Sequence, residues 1–530
     1  MSDDFSKEKR VPSRSSTLVS ATFADTTEIR APSESNDAII VDWDGPDDPA
    51  NPKNWPYRQK WAATLVVSLF TFISPVSSSM VAPATTQVAA DFGVTDTVII
   101  AMMTSIFVLA YAIGPLFLGP LSEIYGRSRV LQLSNVFYLG MHNSVSKISH
   151  LILTGYRQFG ILRAALPKRR ANSLLLDFLL GWEAAHHYRL VVGVLGDVWR
   201  AEERGKATAI YSLAPLLGPV VGPVCGAWIA EKSRWRWVFW STSIVDAAIQ
   251  ISGFFFLQET FAPLLLERKA KLIRKSLDAE EGQAKDVRTI YEEKGERSWS
   301  QILSKALTRP FLIFGREFIV QLLGIYMAFV YGVFYLFLTN VPSIFEGQYH
   351  ERTGIAGLNY ISLGLGIVLG SQISARYMDR IYKYYKAQNN GVGEPEFRLP
   401  SMVPGTFILP AGLLLVGWSA EKKVHSFFTD FVIFLVGGGM VPLFQAIQTY
   451  VVDAFTLHAA SALAAVSCLR SLAGFGFPLF APNMFKTLGY GKGNTILAVV
   501  SIVLGCPVPW LFWKYGKRIR LASQYTTEKE

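Results

Sequence analysis

Residues 119–131 read Gly-Pro-Leu-Ser-Glu-Ile-Tyr-Gly-Arg-Ser-Arg-Val-Leu, a short basic turn between two long apolar runs. Gly119 leads, Glu123 follows four positions later, and Gly126, Arg127 and Arg129 complete the turn. A glycine lets neighbouring helices approach closely. Glu123 and Arg127 stand at i and i+4, the spacing at which side chains pair on one helical face. Glu123 also lies near helix ends, whose dipoles a carboxylate biases. The turn therefore reads as a charged connection between two membrane helices.

Working outward, the rest of the chain fits that reading. Half of its 530 residues are hydrophobic, the mean hydropathy is +0.27 and 17% are charged, against about 25% in soluble proteins. The apolar residues gather into runs of about 20, enough to cross a hydrocarbon core of roughly 30 Å. Backbone polar groups find no water there, so the spans must be helical. We read spans at 61–83, 98–120, 129–140 with its continuation open, 173–196, 207–230, 236–257, 311–338, 354–375, 399–419, 427–451, 459–482 and 495–514. A charged stretch at 258–310, containing Leu-Glu-Arg-Lys-Ala-Lys and Glu-Glu-Lys-Gly-Glu-Arg, separates six spans from six. The expected order is a disordered cytosolic tail over 1–58, a bundle over 59–257, a cytosolic middle loop over 258–310, a bundle over 311–515 and a cytosolic tail over 516–530. The first 55 or so residues are rich in Ser, Asp and Thr and resemble neither a cleaved leader nor a transit peptide, so the first span acts as its own insertion signal.

The formal charge of +10 is compatible with nucleic-acid binding, but the basic residues sit beside apolar runs, which points to topology instead. Arg127 and Arg129, Arg200, Arg204 and Lys206, the middle stretch, Arg376, Arg380, Lys383 and Lys386, and Lys514, Lys517, Arg518 and Arg520 share one side. That side is assigned to the cytosol, where Lys and Arg collect, giving a multi-pass cell-membrane protein with both termini cytosolic. The opposite loop at 84–97 has Asp91 and Asp96 and no Lys or Arg; Lys232, Arg234 and Arg236, and Lys422 and Lys423, break the pattern in two short loops. Cys225, Cys468 and Cys506 lie far apart in apolar surroundings and read as small hydrophobes, with neither a metal site nor a disulfide framework.

One segment departs from the pattern. Residues 141–190 hold His142, His150, His186 and His187, together with Lys147, Arg157, Arg163, Lys168, Arg169, Arg170, Asp177, Glu183 and Arg189. Each charge near the bilayer centre costs about 2.5–3.5 kcal/mol on insertion scales. Three readings stand: a His-rich metal or proton site, a cytosolic insertion displacing two spans, or translation in a wrong frame or through an unspliced intron. The last would explain the abrupt return to an ordinary pattern at Val-Leu-Gly-Asp-Val-Trp, 194–199.

The fifth span holds Gly218, Gly222 and Gly226, four apart on one face, among Pro215, Pro219 and Pro223. The glycines permit tight packing and the prolines remove backbone donors and bend the helix. Other notable stretches are Asn51-Pro52-Lys53-Asn54-Trp55-Pro56, Ser74-Pro75-Val76 through Pro83, Arg316-Glu317 before Tyr326-Met327-Ala328-Phe329-Val330-Tyr331-Gly332, Asp453-Ala454-Phe455, and Leu469-Arg470-Ser471-Leu472 before Phe477-Pro478-Leu479-Phe480. Together with the 119–131 turn they resemble the major facilitator superfamily, and within it the fungal twelve-span drug:proton antiporters that export drugs, polyamines or mycotoxins. The resemblance covers roughly 51–140 and 191–515. It implies an all-α membrane protein with the major facilitator fold, two six-helix bundles around a central cavity.

The resemblance further implies that Gly119, Glu123, Gly126, Arg127 and Arg129 form a conformational latch, of which Ala375-Arg376-Tyr377-Met378-Asp379-Arg380 is a degraded copy. It implies that Gly218, Pro219, Gly222, Pro223 and Gly226 form an antiporter-type motif favouring export over uptake. Where relatives carry Arg-Phe-Leu-x-Gly in the fourth span, this chain has Asp177-Phe178-Leu179-Leu180-Gly181, so the arginine expected for proton coupling is absent.

Ionisable groups inside spans are few and so suspect: Asp246, Arg316, Glu317 and Arg470, with Asp430 and Asp453 near span ends. Glu317 leads as the proton-coupling candidate, since a carboxyl in a low-dielectric site readily loads and releases a proton; pairing with Arg316 is its competing role. Arg470 serves a structural carboxylate or a substrate. Tyr326, Phe329, Tyr331 and Tyr335 with Gln445 and Gln448 form either an aromatic, amide-studded cavity wall or lipid-facing surface. The expected activity is proton-driven efflux of small apolar or cationic compounds by alternating access, by a monomer with no cofactor beyond the proton gradient. Uptake, a transporter-like sensor, or a product that 141–190 renders transport-deficient are the alternatives. A membrane-embedded enzyme would need clustered catalytic groups at a membrane face, and only 141–190 has any.

Overall fold

The computed structural model describes residues 39–91, 93–140, 187–200, 203–280, 287–291, 299–455, 458–523 and 525. Residues 141–186 lie outside the described residues, and with them nearly all of the polar segment discussed above.

Helix α1, Tyr57–Met80, follows Pro56 and a short 3-10 turn at Pro52–Asn54 that Asn51 caps. Its hydroxyls bond back along the helix, Thr64 Oγ1 to the Lys60 carbonyl at 2.8 Å and Ser68 Oγ to the Thr64 carbonyl at 2.7 Å. Polar side chains in a span are thereby satisfied without leaving it. Then come α2 (Thr85–Asp91), α3 (Thr97–Tyr125), α4 (127–140), α5 (His187–Val198), α6 (Arg204–Lys232) and α7 (Arg236–Phe256). The connection supplies α8 (Ala262–Glu280) and α9 (Trp299–Arg316). The second half comprises α10 (Phe318–Phe345), α11 (Thr353–Leu358), α12 (Tyr360–Gln388), α13 (Val403–Glu421), α14 (Ser426–Ala454), α15 (Ala459–Gly505) and α16 (Pro507–Ala522).

Among the described residues, eight helical stretches are long and apolar enough to cross a membrane. The last of them contains two passes, because Gly489 breaks α15 with φ +77°. The Glu421 carboxylate accepts the Gly491 N–H at 2.6 Å beside that break. With α6, and with the third and fourth spans described only over 127–140 and His187–Val198, the chain forms two helical bundles joined by α8 and α9. The larger apolar core lies in the second half, among α10, α13, α14 and α15; a smaller one surrounds Phe70, Leu131 and Trp199 in the first. The bundles meet where α6 lies against α11 and α12, and where α3 lies against α15.

Four sequence expectations are corrected. The tail read as disordered over 1–58 is ordered from residue 39: β1, Ile39–Val41, pairs in parallel with β2, Val287–Thr289, from the connecting segment. Val41 and Val287 bury themselves against Ala270 of α8, which supplies the apolar contact that an isolated tail lacks. The seventh span starts at 318 rather than 311, because Glu317 adopts extended backbone (φ −102°, ψ 106°) and assigns 311–316 to the preceding helix. The span read at 495–514 straddles two helices, α15 ending before Cys506 and α16 starting at Pro507, which has no N–H to continue the ladder although Cys506 keeps helical backbone. The C-terminal tail over 516–530 is partly helical and docked: Arg520 Nε reaches Glu396 Oε1 at 3.1 Å with both side chains buried, and Lys517 reaches Glu394 at 2.5 Å.

Candidate functional site

The turn at 119–131 is built where α3 ends. Gly126 takes φ +99°, a left-handed conformation that suits glycine, and a Cβ there would run into Glu259. Arg127, the next residue, donates its backbone N–H to Glu259 Oε1 at 3.0 Å, and its Nε lies 2.7 Å from Asp197 Oδ2. Glu259 Oε1 also accepts the Thr260 and Phe261 N–H groups, and the guanidinium sits 5.2 Å over the Phe261 ring. Gly193 leaves room for that guanidinium, since a Cβ there would collide with it. The geometry thus identifies Asp197, on α5, as a partner of Arg127; Arg129 is exposed, and the surroundings of Gly119 and the Glu123 side chain, with its i, i+4 pairing, lie outside the described residues. Asp197 stands one residue beyond the span read at 173–196. Burial pushes its carboxyl up to about 6, with Arg127 pulling the other way. In the second half Arg398 makes the corresponding bridge, 3.0 Å from Asp453 and 3.5 Å from Asp379 of the degraded copy.

Helix α6 is packed on two sides. Cβ atoms added at Gly218 and Gly222 would meet Pro75 Cγ at 2.6 Å and the Val76 carbonyl at 2.5 Å, and one at Gly226 would meet the Met80 carbonyl. The glycine row therefore lies flush on α1. From α6, Val220 and Ala227 project toward Gly364 of α12 and Gly357 of α11, across the junction between bundles. At the same end of the molecule Glu231 Oε2 accepts the Gly354 N–H at 2.6 Å. Thr97 Oγ1 reaches Asn483 Oδ1 at 3.4 Å on the α3–α15 side. The bundles are therefore closed against each other at the end opposite the basic turns.

The proposed aromatic wall divides. Tyr331 and Tyr335, four apart, lie on one face with ring centroids 5.0 Å apart, and Phe444 of α14 stands 5.9 Å from Tyr331. Arg470 of α15 lies 4.9 Å over the Tyr331 ring, and its buried Nε has no hydrogen-bond partner. From the first half, Val108 of α3 approaches Gly474, directly beside Tyr331, and Tyr111 Oη shares a 2.8 Å hydrogen bond with Ser74 of α1. Tyr326 points elsewhere, toward Gly505, and Phe329 stacks edge-on with Phe477 at 5.9 Å. The sequence spacing explains this: 326 and 329 share one helical face, while 331 and 335 share another about 170° away. Gln445 donates to Ser371 Oγ at 2.9 Å, joining α14 to α12, while its Oε1 is buried and unpartnered. Gln448 is partly buried on α14. An open groove of about 520 Å³ lined by Phe318, Leu511, Tyr515 and Arg518 lies away from this cluster, at the base of α16.

The structure also separates the four ionisable candidates. Glu317 is buried at the α9–α10 break, with no side-chain capping bond, and exposed Arg316 reaches toward Tyr525 Oη at 3.5 Å. Arg470 lies at the bundle junction. Asp246 is completely buried within the first bundle, and neither carboxylate oxygen has a hydrogen-bond partner. Among the described residues no cluster of His, Cys, Asp and Glu could hold a metal ion. Sequence reading missed Asp197, Glu259 and Glu231, which are single acids at helix ends whose partners lie far along the chain.

Residues 67–478 match the family model described as the Major Facilitator Superfamily. The chain is 41% identical to the efflux pump vrtL of Penicillium aethiopicum, covering 99% of each chain. It is 38% identical to the MFS transporter cpaT of Aspergillus oryzae, covering 92% of each. Among solved structures it resembles the xylose transporter XylE of E. coli in a partially occluded inward-open conformation, with a TM-score of 0.61 at 14% identity over 86% of this chain and 98% of that one.

Proposed function

Because this chain belongs to the Major Facilitator Superfamily and is a membrane transporter rather than an enzyme, we propose that it exports small aromatic metabolites or drugs, driven by proton entry through alternating access. The observation that carries export is the end-to-end identity with a fungal efflux pump. Placing the basic turns in the cytosol puts both termini there, and makes the closed end of the bundles the outer gate. We assign the protein to the cell membrane and to a monomeric working unit, with no cofactor but the proton gradient.

Substrate binds at the bundle junction in this reading. Tyr331, Tyr335 and Phe444 offer an apolar aromatic surface, and Arg470 offers a guanidinium with no carboxylate partner among the described residues. A positive charge so placed favours apolar compounds bearing carbonyl or acidic groups over the cations of the sequence expectation. Arg127, Asp197 and Glu259 form the cytosolic latch, and α6 transmits movement from α1 to the opposite bundle.

Inside-out vesicles test this. With an acidic interior imposed, they should accumulate a fluorescent aromatic acid, and collapsing the gradient should release it. Accumulation that ignores the gradient removes proton coupling. No gradient-driven movement of either an aromatic acid or an aromatic cation overturns the transport reading itself.

A further inference from the structure

A seam of polar groups runs between α4 and α7, from the latch into the interior of the first bundle. Ser128 Oγ donates to the Leu257 carbonyl at 2.8 Å, and Gln132 Nε2 donates to the Gly253 carbonyl at 3.1 Å. Above these, Gln250 Nε2 donates to the Gln132 carbonyl at 3.4 Å, and Asn135 Nδ2 donates to Gln250 Oε1 at 2.9 Å. Asn135 lies beside Asp246, one helical turn further along α7.

The direction of this relay is fixed. A backbone carbonyl only accepts, so the Gln250 amide must present its NH₂ to Gln132 and its oxygen to Asn135. Asn135 in turn presents one N–H of its NH₂ to Gln250 Oε1, and the second N–H of that amide remains for Asp246. Asn135 and Asp246 are both 0% exposed, and Asn135 Oδ1 and both Asp246 oxygens are without a donor. An ionised carboxylate here would be a buried charge with no cationic partner among the described residues, and a proton on Asp246 removes that charge. Tyr138 on α4 is the titratable group beside Asp246, and α1 and α6 present no charged group to it among the described residues.

We propose that Asp246 is the proton-carrying acid of the transport cycle and is protonated in this closed-outside state. Its role in the cycle rests on the export reading above; its protonation does not. On release the proton leaves Asp246 as a carboxylate, which draws the second Asn135 N–H toward it. That pull acts on the α4–α7 seam, whose lower end is the Ser128–Leu257 contact next to the Arg127–Glu259 latch. Protonation in the bundle is thus wired to the cytosolic turn.

Infrared difference spectroscopy of the reconstituted full chain tests protonation directly. Wild type should show the carbonyl band of a protonated carboxylic acid, and Asp246→Asn should lack it. Asn135→Leu, which removes the neighbouring amide, should keep the band but shift it to higher frequency. As a measurement needing no variant, a hydrophobic carbodiimide should label Asp246 on the wild-type chain. Wild type with neither band nor label overturns the protonated state. Asp246→Asn keeps a donor toward Asn135 and should fold, yet lose at least tenfold in gradient-driven accumulation. Full retention would remove Asp246 as the coupling acid while leaving export standing. Band and label without any gradient-driven transport by wild type would leave the protonated acid in place and refute the export reading.

Discussion

Gly364→Ala is the perturbation whose effect the structure fixes most closely. Its new Cβ would meet the Val220 side chain of α6, with Val220 Cγ1 at 2.5 Å and Cβ at 2.9 Å. That is overpacking across the junction between bundles, which costs typically 1–3 kcal/mol. Alanine also gains about 1 kcal/mol over glycine in a helix interior. The gain applies equally whether the bundles are closed or open at this end, because α12 is helical in both. The clash applies only when they are closed. The equilibrium between the two states should therefore shift toward opening by the clash alone, about 5- to 150-fold at 1.4 kcal/mol per tenfold. Spin labels at Thr97 and Asn483, which touch at the same end, report this by pulsed electron resonance. Wild type should show a short distance, and Gly364→Ala a dominant long one. Val220→Gly removes the whole opposing side chain and should restore the short distance in the double variant. An unchanged distance distribution in folded Gly364→Ala would refute the reasoning that α6–α12 contact holds this end shut.

Three further expectations follow from the same coordinates. Asp197 is held above its ordinary value, so the fold binds that proton more tightly than the unfolded chain does; its favourable contribution is complete below about 3.8 and is lost as pH rises through about 6. The difference in melting temperature between pH 5 and pH 7 should change in Asp197→Asn, and an unaltered difference would contradict the assignment. Glu396→Gln leaves Arg520 buried without its charge partner and should destabilise the second bundle by about 3–5 kcal/mol in detergent melts; an unmoved melting temperature would show the pair to be expendable. Arg470→Ala should weaken an aromatic acid more than a neutral aromatic of the same size in competition assays, since only the acid loses a charge partner; equal losses would place Arg470 outside the substrate site.

The fold was legible because its constraints are local: a hydrocarbon core demands long apolar helices, and charges between them mark the ends. The glycine row of α6 was equally plain, since a spacing of four on a helix dictates a face. What was not legible depended on chain segments far apart in sequence. The i, i+4 rule could offer Arg127 only Glu123; it could not reveal Asp197, 70 residues on, where a glycine has cleared a space for the guanidinium. The aromatic residues of α10 were grouped by composition when helical phase already divided them. Asp246 could be flagged as an acid in a span, but the direction of the amides that face it exists only in three dimensions.

The pairing of β1 with β2 has a consequence for biosynthesis. Residues 39–41 leave the ribosome before the first span, but their partners at 287–289 follow only after every helix of the first bundle has been made. A contact so distant along the chain forms late. The small parallel clasp thus closes over a finished first bundle and ties its leading end to the strap that carries translation onward into the second.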